Sequence, residues 1–132
     1  MCRIAIAIAS LLYVCGSQAL AMPPLSLAER VALQTQMRQV IDSRLVDGRY
    51  LHLDPETLEL VSLYPAKAHP MILRFDNNFV LCTDFLTEEG RPVNVDFYVA
   101  KGGNELVVFD TVIDNRAPVE ALMKRGRIAV AD

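Results

Sequence analysis

This chain is short of the residues that usually carry chemistry: 132 residues include three cysteines and two histidines. Cys2 and Cys15 fall within the first twenty-one residues, and Cys82 stands alone in the rest. With that leader removed no internal disulfide can form, so the core must hold the fold unaided. His52 and His69 have no metal-ligand spacing and no cysteine pair to join them. Asp76-Asn77-Asn78 lacks the alternating acidic positions and distal glutamate of a calcium loop, and reads as a turn. Positive charge is also in deficit, with 13 Lys and Arg against 16 Asp and Glu. That excludes the basic stripe nucleic acid needs and gives no attraction to anionic membrane surfaces. No glycine-rich loop precedes a helix to cradle phosphate, and no serine elbow is present. No metal or other cofactor is implied.

What is present begins with a leader. Arg3 supplies a positive start, Ile4 to Cys15 is nearly unbroken apolar sequence, and Ala19-Leu20-Ala21 is the small-x-small pattern of a cleavage site. The apolar run is about a dozen residues, short of the roughly 20 that span a bilayer. A secretory signal over 1–21 is expected, leaving a periplasmic or secreted single α+β domain over 22–132 that meets the membrane only in transit. Lipidation at Cys15 is the rival, but Tyr13 and Val14 match such a site poorly. Losing Arg3 makes the domain one unit more negative than the formal −3 of the whole chain.

Ser26 and Glu29 form a capping box ahead of a helix expected over 27–45, with Leu33, Met37, Val40, Ile41 and Leu45 on one stripe. Asp47-Gly48 reads as its stop. The period then becomes strand-like. Strands are expected at 50–53 and 58–63 around the Asp54-Pro55-Glu56-Thr57 turn, with a proline-bracketed loop over 64–70. Further strands are expected at 71–75, 79–86, 92–100 and 105–113. A short helix over 117–124, ended by Gly126, and a frayed tail complete the chain. The pattern is that of a long N-terminal helix packed on a meander of about five or six antiparallel strands, generically like small cystatin-like and pouch-shaped folds. No motif assigns a family.

Turn lengths suggest a register. A three-residue loop at Glu88-Glu89-Gly90 sets Phe79, Leu81, Thr83 and Phe85 opposite Val99, Phe97, Val95 and Val93. A two-residue loop at Gly102-Gly103 then sets these opposite Leu106, Val108, Asp110 and Val112. Met71, Leu73 and Phe75 join the same face, which the helix covers. Asp110 thereby falls on the apolar face, where desolvation would raise its pKa and suit it to be a base. The other face carries Cys82, Asp96 and Phe109 in one row, Asp84, Asn94 and Thr111 in the next, and Tyr98 beside them. These seven are the candidate binding residues, and Asp96 is a second candidate base. Cys82 reads as a small buried hydrophobe, since nothing in the sequence fixes a histidine beside it.

Without a catalytic constellation, the expected function is a non-catalytic binding or accessory module for a protein partner or a small apolar ligand. An isomerase- or hydrolase-like pocket enzyme using Asp110 or Asp96 is the alternative, and a structural homodimer the third. The enzyme requires an enclosed cavity between helix and sheet. The binding module requires a filled interior and exposed apolar surface.

Overall fold

The Ser26 hydroxyl accepts the Glu29 amide at 3.2 Å, and the Glu29 carboxylate accepts the Ser26 amide at 2.9 Å. Two donors that a first helical turn leaves open are thus satisfied. The helix so started, α1 (Leu27–Ser43), buries Leu33, Met37 and Ile41 at successive fourth positions, as the stripe predicts. Each such side chain contributes about 1.5–3 kcal/mol by leaving water. These features come from a computed structural model that describes residues 22–131. The leader over 1–21 and Cys15 lie outside the described residues.

The helix is followed by β1 (Leu45–Val46), β2 (Arg49–Leu53), β3 (Leu60–Phe75), β4 (Asn78–Leu86), β5 (Pro92–Gly102), β6 (Glu105–Ile113), α2 (Ala117–Lys124) and β7 (Ile128–Val130). The class is α+β, but the sheet has seven strands rather than five or six, and the 17-residue helix lies inside the chain rather than at its start. The strands run in sequence order from β1 to β6, all antiparallel, with β7 added beside β3.

Four expectations are corrected. Asp47-Gly48 does not merely stop the helix. With φ of 51° and 75° at these two residues, they make the two-residue turn between β1 and β2, whose left-handed geometry matches the twist of a hairpin. The loop expected over 64–70 is part of the 16-residue β3. Its prolines are accommodated because the β3–β4 register shifts between Pro65 and Lys67 and again between Ala68 and Ile72. The turn after β3 holds two residues, so Leu73 pairs with Val80 and Ile72 with Leu81. Ile72, rather than Met71, Leu73 and Phe75, therefore belongs to the helix-side core. The tail is not frayed: β7 pairs Ile128, Ala129 and Val130 with Phe75, Arg74 and Leu73. It is delivered there by Gly126, at φ 63°, where the Gly126 and Arg127 amides donate to the Met123 and Leu122 carbonyls.

The β4–β5 register is the expected one, with Phe79, Leu81, Thr83 and Phe85 opposite Val99, Phe97, Val95 and Val93. Phe85, Phe97, Leu81, Val95 and Val99 have no exposed surface, and Met37 of α1 fills the space above them. The opposite face is covered as well. There α2 and β7 bring Val119, Leu122 and Ile128 onto Leu73, Val80 and Tyr98. The sheet curls around α1. Arg44, at the end of α1, donates to the Tyr50 hydroxyl in β2 at 3.0 Å and to Thr111 in β6 at 3.2 Å. These strands stand four places apart in the sheet, yet one side chain reaches both.

Candidate functional site

The fate of Asp110 is decided by one extra residue. The β5–β6 turn is Gly103-Asn104, not Gly102-Gly103, so Val99 pairs with Val108 and Gly102 with Glu105. Between Val99 and Tyr98 the register then shifts, leaving Phe109 as a bulge and pairing Tyr98 with Asp110, Phe97 with Thr111 and Asp96 with Val112. The shift exchanges the faces of β6 beyond it. Asp110 is exposed on the outer side, where its carboxylate accepts the Thr111 amide at 2.8 Å. The apolar-face base is therefore absent. Thr111 turns inward to Arg44, away from Asp84 and Asn94. Phe109, 53 % exposed, lies not beside Cys82 but against Tyr98, at 6.2 Å between ring centroids.

The other outer-face candidates do converge, around a residue that sequence reasoning missed. Arg116 precedes α2 and turns its guanidinium down onto the sheet. Its Nη1 donates to Asp96 Oδ1 at 2.5 Å, Asn94 Oδ1 at 3.3 Å and Cys82 Sγ at 3.1 Å. Asp96 is wholly buried, and the ion pair explains how a carboxylate tolerates that position. The available signal was the pairing of a buried-strand aspartate with an arginine at a helix start, but which arginine depends on how α2 docks. Asp84 pairs instead with His69 from the β3 bulge, at 2.8 Å. Tyr98 lies between the rings of Phe75 and Phe109, at 5.9 and 6.2 Å. Burial, with the Asp96 and Asp110 charges, pushes its hydroxyl pKa up, so it stays protonated.

The cluster ties the start of α2 to β4 and β5. Burial, together with the hydrogen bond and charge of Asp96, pushes the Cys82 thiol up to about 11. The folded thiol therefore stays protonated at neutral pH. The folded protein, with Cys82 buried and protonated, is accordingly expected to react with iodoacetamide at least tenfold more slowly than after unfolding in urea. Mass spectrometry of the alkylated chain measures this, and comparable rates would remove the buried-thiol assignment. Among the described residues no group of three or more His, Cys, Asp or Glu is gathered to hold a metal ion.

An open site lies on the concave side, beyond the end of α1. There the β2–β3 hairpin faces the ends of β5 and β6 across a cleft of about 570 Å³. Half-buried Val61 and Ile113 and almost wholly buried Leu63 and Val93 line it together with His52, Asp54, Glu56, Arg91, Asp114 and Asn115. The hairpin tip is held by Asp54, whose carboxylate accepts the amides of Glu56 at 2.8 Å and Thr57 at 3.2 Å. Those backbone hydrogen bonds hold the exposed Asp54 carboxyl below the usual range. The Asp54 carbonyl also takes the Leu58 amide at 2.8 Å, fixing Leu58 at φ 60° with its side chain 74 % exposed. A left-handed leucine facing water is uncommon and stores strain of order 1 kcal/mol. Leu53 and Leu60, paired across the hairpin, are exposed beside it.

Two other openings border the molecule. One of about 340 Å³ shares Val61 and Arg91 with the cleft and adds Thr87, Glu88 and Glu89. The second, about 470 Å³, is a shallower groove between α1 and the β3 bulge, edged by Arg30, Gln34, Arg38 and His69. It is interrupted where the Gln34 side chain donates to the His69 carbonyl at 3.0 Å.

No family model matches this chain, and neither does any curated protein or solved structure. Among the described residues no helix is long and apolar enough to cross a membrane.

Proposed function

We propose that this chain is an exported, non-catalytic binding module that takes a small ligand with an apolar body in the cleft between the β2–β3 hairpin and the ends of β5 and β6. The cleft itself carries the reading. It is a concavity of about 570 Å³ lined by apolar and polar side chains together, on the scale of ordinary ligand sites. The space between helix and sheet is by contrast packed with fully buried side chains, which supports a binding role over the pocket-enzyme alternative. Its first candidate base, Asp110, stands in solvent, and its second, Asp96, is sealed by Arg116. Export rests on the leader read from residues 1–21.

The test is an amide NMR titration of the 22–132 chain with 1-octanol, a neutral probe with an apolar body. Saturable shifts confined to residues 52–61, 91–93 and 111–115 are expected. Shifts elsewhere, or none up to the solubility of the probe, would overturn the assignment.

A further inference from the structure

An edge of the sheet opens into the cleft. Thr111, Val112, Ile113, Asp114 and Asn115, five successive residues, all line it. Val112 packs with the outer-face cluster and Ile113 with the helix-side core. Neighbours that point to opposite faces border one space only where that space meets the edge of the strand. β6 ends the strand order and has β5 on one side alone. The direction of its free main-chain groups follows from alternation. In an antiparallel pair one residue turns both amide and carbonyl to the partner strand, and the next turns both away. The Asp114 amide donates to the Asn94 carbonyl at 2.8 Å, so it faces β5. Ile113 and Thr111 therefore face outward. The Thr111 amide is covered by the Asp110 carboxylate at 2.8 Å. The Ile113 amide and the carbonyls of both residues have no partner strand among the described residues. Exposed edges are usually guarded by Lys, Pro or a bulge. Residues 111–113 carry no Lys or Pro, and the bulge lies upstream at Phe109.

We infer that the ligand of this cleft is a short peptide in extended conformation, added to β6 as a further strand and bonded through its main chain to the outward groups of Thr111 and Ile113. Donors and acceptors that alternate along a strand are matched by another main chain, which is how peptides dock on open sheet edges. Alternate side chains of the peptide then enter the cleft beside half-buried Val61 and Ile113. The bordering stretch 111–115 sets the length at about five residues, at roughly 3.3 Å each. The β2–β3 hairpin stands across the cleft from this edge. A single extended chain enters between them, whereas the sheet of a second copy would meet the hairpin first. The inference rests on the proposed binding role and names its ligand class.

Amide NMR with hydrogen–deuterium exchange tests it on the 22–132 chain. The probes are the uncharged peptide acetyl-Val-Thr-Val-Thr-Val-amide and 1-octanol, each below its aggregation limit. The peptide is expected to give saturable shifts at residues 111–115 and to slow exchange of the Ile113 amide at least tenfold at saturation. The Val112 amide, already turned to β5, is expected to change less than twofold. 1-Octanol brings no strand and is expected to leave Ile113 exchange within twofold. Two N-methylated forms of the peptide, one altered at its first, third and fifth amides and one at its second and fourth, sharpen the test. One form is expected to bind at least tenfold more weakly and the other less than threefold, because alternate amides of an added strand face β6. Equal losses, or a peptide bound in the cleft with Ile113 exchange unchanged, would overturn the strand pairing and leave the binding role standing. No peptide binding while 1-octanol titrates the cleft would overturn the peptide class alone. Shifts outside the cleft, or none, from both probes would overturn both. Protection of Ile113 that rises with protein concentration alone would give the edge to a second copy and overturn the peptide.

Discussion

Arg116→Ala is expected to destabilise the protein by about 3 kcal/mol, seen as a lower urea midpoint with unchanged slope. The cost comes from what is left behind. Asp96 is wholly buried, and among the described residues its Oδ2 has no hydrogen-bond partner while Arg116 answers its Oδ1. Removing the guanidinium leaves a charge in a site that water reaches poorly. Breaking a buried pair from one side typically costs about 3–5 kcal/mol. The lower end applies because the Arg116 side chain is 37 % exposed. Replacing both partners by apolar residues, Arg116→Met with Asp96→Leu, is expected to recover most of the loss, since neither charge then remains to be solvated. A single substitution costing under about 0.5 kcal/mol would mean the pair is not what holds α2 to the sheet.

The second large effect belongs to the helix-side core. Phe97→Ala is expected to cost about 3–5 kcal/mol, the transfer free energy of the ring plus that of the cavity it leaves. Phe97 has no exposed surface and sits mid-sheet, paired with Leu81 on one side and Thr111 on the other. Neither neighbouring strand can collapse into the space without breaking its ladder. Asp110→Asn, by contrast, is expected to change stability by no more than about 0.5 kcal/mol, because the residue is exposed beyond the bulge. Urea unfolding of both variants checks the pair. A large loss in Asp110→Asn would return that carboxylate to the interior and undo the register described above.

The two substitutions also mark how far the sequence could be read. Phe97 was legible because β4 and β5 are joined by a short loop whose length forces their alternation into step, and every apolar residue then agrees. Asp110 was misread because the next strand pair carries a bulge. A bulge has no composition of its own. It is one residue more on one strand than on the other, and alternation counted from a turn fails silently beyond it. The same failure hid β3, where two prolines marked a loop by local chemistry but lie in register shifts along a continuous strand. Cys82, Asp96 and Asn94 were grouped correctly as near neighbours of one face, but the residue that unites them was not, because it comes from a separate helix.

What residues alone determined is local. The capping box, the buried stripe of α1, the three-residue loop at 88–90 and the antiparallel order of β4 and β5 all depend on neighbours within a few positions or across one turn. The tertiary structure decided everything that needs distant segments to meet. It placed α2 and β7 on the outer face, closed Arg116 over Asp96, and curled the sheet until β2 and β6 both reach Arg44. The cleft exists because of that curl. Its lining comes from four strands and three connecting turns, and curvature arises from twist, bulges and packing summed over the whole sheet, which no short stretch of sequence records.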